Sequence, residues 1–151
     1  MTPDDHIDKG TETTDELLAQ ALPKLTAEQV AEVSPKLVRQ TYEPGQVIIN
    51  QGDPPDRFYI IIDGQAEVWH EGLSGQTGEI DLRKAGEYFG EVGLLQDRPR
   101  SATVRAPEDS QVEVLAMGRR DFLDLMDESK ATEMNVAQEM IQRLITLANA
   151  Q

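Results

Sequence analysis

Tyr88-Phe89-Gly90-Glu91-Val92-Gly93-Leu94-Leu95-Gln96-Asp97-Arg98-Pro99-Arg100-Ser101-Ala102-Thr103-Val104 is the stretch around which the chain is organised. It reads as a glycine-rich turn, one turn of helix over Glu91 to Leu95, a tight loop and then a strand. Gly90 and Gly93 leave the backbone bare, so peptide N–H groups can approach an anion closely. The first turn of the short helix adds a partial positive field. Arg100 supplies a planar fork of donors suited to phosphate or carboxylate. Ser101 places a hydroxyl beside it, and Pro99 stiffens the approach. Glu91 is the odd member, because a carboxylate repels a phosphate. It fits a ligand that also carries a hydroxyl, from which a carboxylate accepts a hydrogen bond. Taken singly, the glycines serve any turn, and a Glu and an Arg nine residues apart pair on many surfaces. Taken together, the run asks for a small ligand with an anionic group and a neighbouring sugar hydroxyl.

Phe89-Gly90-Glu91-Val92-Gly93-Leu94 and Pro99-Arg100-Ser101-Ala102-Thr103 resemble the phosphate-binding cassette of the cyclic-nucleotide-binding domain family, the cAMP/cGMP-binding regulatory domains. That pattern runs F-G-E-x-small-L then P-R-[ST/A]-A-[ST], and no position is broken here. The resemblance implies that Arg100 holds the cyclic phosphate and Glu91 the ribose 2′-hydroxyl. Ser101 and the backbone of Gly90, Val92, Gly93 and Ala102 are the other expected cassette contacts. Leu82 and Val104 are chosen as the apolar strand residues under the base, with Met140 among the residues that cover it. In the family, Thr after the arginine tends to accompany a cGMP preference, and Ser or Ala is common in cAMP binders. Ser101 therefore implies cAMP, with cGMP the alternative. The Gly52-Asp53, Phe58-Tyr59-Ile60-Ile61 and Asp63-Gly64 elements also sit where the family carries them, so the resemblance covers roughly residues 15 to 145.

Composition agrees with a binding module. A chain of 151 residues with 38% hydrophobic and 28% charged residues is expected to form one globular domain with a real core. It has no cysteine, hence neither a disulfide framework nor a thiolate metal site. No run of about 18 apolar residues is present, and the acidic start Met1-Thr2-Pro3-Asp4-Asp5-His6 is unlike a secretory signal. A cytoplasmic location without membrane insertion is the expectation. The net charge of −14 opposes binding to nucleic acid or anionic lipid. An anionic ligand then needs a local positive cluster, for which Arg98, Arg100 and Arg105 are the candidates. At a Debye length of about 8 Å such a cluster outweighs distant carboxylates.

Along the chain, residues 1–12 read as a flexible tail and 13–151 as the binding domain. Within it, helices are expected over 13–38, a β-roll over 39–117 and C-terminal helices over 119–150. Thr13 to Glu16 and Thr26 to Gln29 have the form of capping boxes, each opening a short helix, and Pro35 perturbs the second. From Arg39 the period becomes two, with turn residues at short intervals and Asp63-Gly64 in the form of a tight hairpin. The fold expected is mainly β with flanking helices: an eight-stranded β-roll or jelly roll, short N-terminal helices and a C-terminal lid helix. In residues 130–150, Met134, Ala137, Ile141, Leu144 and Ala148 recur at spacings of three and four. Met134, Val136, Met140 and Ile141 are the candidate lid over a planar base. The same spacing also fits a core-facing helix or the seam of a homodimer.

No P-loop, calcium loop, zinc motif or nucleophile elbow is present. The two histidines, His6 and His70, fall on the tail and a strand end and read as surface residues, too far apart to share a metal. Asp53 and Asp56 read as solvated turn residues. None of these motifs marks an enzyme or a metal site, and the family resemblance implies a non-enzymatic, metal-free sensor that couples ligand to movement of its last helix. It carries no output motif, so an effector protein or domain elsewhere is implied. The alternatives are a degenerate form of the fold, serving as a protein-interaction module without ligand, and, more weakly, a jelly-roll enzyme for a small anionic substrate.

Overall fold

The computed structural model describes residues 12–150. Of the expected tail, only Glu12 falls within them, and His6 lies outside. Both capping boxes form. Thr13 Oγ1 accepts from the Glu16 N–H at 3.1 Å while Glu16 Oε1 accepts from the Thr13 N–H at 2.8 Å, opening α1 (Thr14–Ala21). Thr26 and Gln29 repeat the exchange at the start of α2 (Ala27–Val33). Pro35 has no N–H for an α-helical ladder, and the chain tightens to a 3-10 turn over Ser34–Lys36.

Eight strands follow: β1 (Val38–Tyr42), β2 (Val47–Ile49), β3 (Arg57–Asp63), β4 (Gln65–Glu71), β5 (Thr77–Lys84), β6 (Tyr88–Phe89), β7 (Thr103–Arg105) and β8 (Val112–Gly118). They form two four-stranded antiparallel sheets, β1-β8-β3-β6 and β2-β7-β4-β5. The expected eight-stranded roll with flanking helices is the fold observed. Asp63-Gly64, however, does not close a hairpin. β3 pairs with β8 and β6, and β4 with β5 and β7, so Gly64 carries the chain from one sheet to the other. Its φ of +86° and the Gln111 carbonyl, 2.7 Å from where a Cβ would stand, reserve the position for glycine. A hairpin and a sheet-to-sheet corner need the same local turn chemistry, and only long-range pairing separates them.

β3 shows why its sequence is an unbroken apolar run. Tyr59 and Ile61 face the interior of the roll with Val68, Phe89, Val104 and Val114. Phe58, Ile60 and Ile62 face the other way, against Leu18 and Val30 of the N-terminal helices. A strand buried on both faces loses the two-residue alternation. That outer core also takes Phe122, Leu125 and Met126 of α4 (Arg119–Glu128) and Val136 of α5 (Lys130–Asn149). The apolar stripe expected on α5 does not all turn inward: Met134 and Ile141 are 64% and 53% exposed, as is the neighbouring Ile145 at 50%, whereas Val136, off that stripe, is fully buried. The cassette itself forms as read, with β6, then Gly90 at φ +96°, then α3 (Glu91–Gln96), a loop and β7.

Candidate functional site

The cassette, the inner face of the β2-β7-β4-β5 sheet and the last turns of α5 enclose a cleft of about 600 Å³, its open mouth included. Arg100 sits at the cassette end. Its backbone is strapped to the β2–β3 loop, the Arg100 N–H donating to Asp53 O at 2.8 Å and the Arg100 carbonyl accepting from the Gly52 N–H at 2.8 Å. Arg100 is 5% exposed, and its guanidinium is fixed from behind. Nη1 donates to Gly90 O at 2.8 Å, and Nη2 to Arg57 O at 2.6 Å and Asp56 Oδ1 at 3.3 Å. Three of its five N–H donors are thus spent on position, leaving two for a ligand. Asp56 is accordingly more than a solvated turn residue. A Cβ on Gly90 would lie 2.9 Å from Arg57 O and 3.3 Å from Arg100 Nη1, so the bare backbone there lets the guanidinium dock.

Glu91, in the first turn of α3, is 1% exposed. Its Oε1 accepts from Arg143 Nη1 of α5 at 2.7 Å, while Oε2 is buried without a partner. Arg143 also lies 4.8 Å from the centre of the Tyr88 ring and has Glu139 Oε2 3.4 Å from its Nε. Burial, and then the Glu91 carboxylate, push the Tyr88 hydroxyl up to about 12, so Tyr88 stays neutral beside the pair. One buried acceptor with a free oxygen and one pre-aimed fork therefore face the same cleft.

Gly90, Glu91, Val92, Gly93, Arg100, Ser101, Ala102 and Val104 all line the cleft. Leu82 and Met140 do not. On β5, Val68 opposes Asp81 and Ala66 opposes Arg83, so these two neighbours turn into the cleft. Leu82 opposes Glu67 between them and turns outward. On α5 the lining residues are Arg143, Leu144, Thr146 and Leu147, about one turn beyond Met140. Of the other lid candidates, Met134 and Ile141 face solvent and Val136 is locked in the outer core.

The expected positive cluster also differs. Arg98 is exposed, and Arg105 is taken by Glu67 at 3.2 Å while stacking 4.2 Å from the Trp69 ring. The cations that line the cleft beside Arg100 are Arg83 and Arg143. The sequence carries a signal for Arg143, since it is the one charged residue after Glu139. Asp81 and Arg83 are likewise opposite charges two apart on a strand, hence on one face. His70 is not a surface residue either: it is 8% exposed, with Nδ1 3.1 Å from Ser101 O beneath the cassette.

A family model described as the cyclic nucleotide-binding domain matches residues 39–129. A cAMP-dependent protein kinase regulatory subunit of Pyricularia oryzae is 37% identical over 105 residues, covering 70% of this chain and 26% of its own length. The regulatory domain of Toxoplasma gondii PKA, solved with cAMP, superposes with a TM-score of 0.75 at 29% identity over 83% of this chain and 49% of that one. The catabolite activator protein of Thermus thermophilus superposes at 0.68 with 33% identity, over 80% and 55%. The chain thus spans about a quarter of the regulatory subunit and about half of each solved chain.

Proposed function

The chain belongs to the cyclic nucleotide-binding domain family, and from that premise we propose that it is a cAMP sensor whose ligand controls the position of α5. The observation that carries this reading is the buried, unpartnered Oε2 of Glu91 in the cleft that Arg100 also lines. A buried acceptor left unsatisfied costs roughly 1–3 kcal/mol, and the 2′-hydroxyl of a ribose supplies its donor. The cyclic phosphate takes the two remaining Arg100 donors, the Ser101 hydroxyl and backbone N–H groups of the cassette. Val68 and Val104 offer the base an apolar floor, and Leu144 and Leu147 of α5 its cover.

Glu91 is held by a residue of α5, so occupancy of the cleft and the seating of that helix draw on one carboxylate. Ligand biases α5 to the extent that it binds one helix position better than the other. The chain acts in the cytoplasm, with no nucleic acid as partner, and its output lies in an effector protein or domain. Thermal melting in the presence of cAMP or cGMP tests the reading. At a hundredfold excess over Kd, binding adds about 2.7 kcal/mol of stability, and cAMP is expected to raise Tm at lower concentration than cGMP. If millimolar concentrations of both leave Tm unchanged, the fold serves as an interaction module instead.

Met134, Ile141 and Ile145 lie seven and four residues apart and are all half exposed or more. We propose residues 130–150 as a homodimer seam on that ground. Sedimentation is expected to give a dimer that Ile141→Glu dissociates; a monomer at high micromolar concentration overturns the seam and leaves the sensor reading untouched.

A further inference from the structure

Arg83 is 8% exposed and its Nε is buried without a partner. The other end of its guanidinium is engaged, with Nη1 donating to Asp81 Oδ2 at 2.7 Å. Asp81 Oδ1 accepts from the Leu82 N–H at 2.8 Å. Both side chains line the cleft from β5, Asp81 on the sheet row of Val68 and Val104 and Arg83 on the neighbouring row, opposite Ala66. The Asp81 side chain keeps 38% of its surface exposed, so the pair lies at the edge of the cleft, and it leaves the Arg83 Nε–H buried and unpartnered in the cleft wall.

Burial alone raises the Asp81 carboxyl. The hydrogen bond from Arg83, the Leu82 N–H and the charges of Arg83 and Arg143 outweigh it and hold the group below its ordinary value. At neutral pH Asp81 is therefore an anionic acceptor, and each of its oxygens keeps a second lone pair. The lip of the cleft presents one donor beside one acceptor. The Hoogsteen edge of adenine offers the converse, an acceptor at N7 and a donor at the N6 amine, whereas guanine offers two acceptors, N7 and O6. Phosphate does not suit this pair, because Asp81 repels it.

Resting on the cyclic nucleotide reading above, we propose that Asp81 and Arg83 read the base. Arg83 donates to N7, Asp81 accepts from the N6 amine, and the pocket thereby selects adenine over guanine. Ser101 is then not the sole source of the preference. Removing Asp81 would leave Arg83 as an unopposed fork, which matches the two acceptors of guanine.

Calorimetry on the full, unmutated chain with four cyclic nucleotides tests this without risk to folding. The set is cAMP, 7-deaza-cAMP, which lacks the N7 acceptor, cyclic inosine monophosphate, which carries O6 in place of the amine, and cGMP. Both analogues are expected to bind at least about fivefold more weakly than cAMP, the low end for one lost edge contact. Arg83→Ala should bring cAMP and 7-deaza-cAMP to parity, and Asp81→Ala should shift preference towards cyclic inosine monophosphate and cGMP. Equal affinities of the unmutated chain for cAMP and both analogues overturn the base-reading role while leaving the sensor function intact. If none of the four binds, both readings fall together.

Discussion

Arg100→Ala is expected to cost about 2–5 kcal/mol of cAMP binding, the range for truncating one partner of a desolvated charge pair. That is a loss of roughly 30-fold to several thousandfold in affinity. The size follows from preorganisation. Arg100 is 5% exposed and tied to Gly90 O, Arg57 O and Asp56, so ligand binding has little rotamer entropy left to remove. Its truncation also takes donors from two backbone carbonyls, and the unliganded variant is expected to melt earlier. Arg100→Lys separates the two effects. An ammonium keeps the charge but cannot reach carbonyls and ligand in one plane, so it should recover part of the affinity and little of the stability. Asp56→Ala is the milder control, since Asp56 is 70% exposed and 3.3 Å from Nη2. Calorimetry and ligand-free melting read the series. Unchanged cAMP affinity in a folded Arg100→Ala variant would remove Arg100 from the site.

The cassette was legible because its chemistry is local. Gly90, Glu91, Gly93 and Arg100 lie within eleven residues, and the turn–helix–loop–strand order follows from glycine, proline and helix length. The capping boxes at Thr13 and Thr26 were legible for the same reason. What the sequence hid depends on contacts between distant segments. Asp63-Gly64 carries hairpin chemistry, yet its flanking strands join different sheets. The apolar stripe on α5 suggested Met140 as cover, but Val136 docks into the outer core and fixes the helix rotation. That rotation brings Arg143, 52 residues from Glu91, to within 2.7 Å of it. Leu82 is an apolar residue on a strand, yet the register of β5 against β4 sends its charged neighbours inward. In each case a hydrophobicity pattern set the class of element, and tertiary pairing decided which face met the ligand.

The Glu91–Arg143 pair should behave asymmetrically. Arg143→Ala leaves Glu91, 1% exposed, without its donor on either oxygen. An unpaired ion at such a site costs about 3–5 kcal/mol, and the unliganded variant is expected to lose much of that in stability. Glu91→Ala is milder, because the Arg143 side chain keeps Glu139 at 3.4 Å and the Tyr88 ring at 4.8 Å. Removing both partners, as in Glu91→Leu with Arg143→Met, takes out the charges together and should recover most of the loss. Ligand affinity separates the ribose contact from this packing effect. Glu91→Ala should weaken cAMP more than 2′-deoxy-cAMP, because the analogue lacks the hydroxyl that Oε2 accepts from. The difference expected is about 1.5–3 kcal/mol, that of a hydrogen bond to a charged acceptor. Equal losses for the two ligands would confine Glu91 to holding Arg143, and α5 would then report occupancy by some route other than this carboxylate.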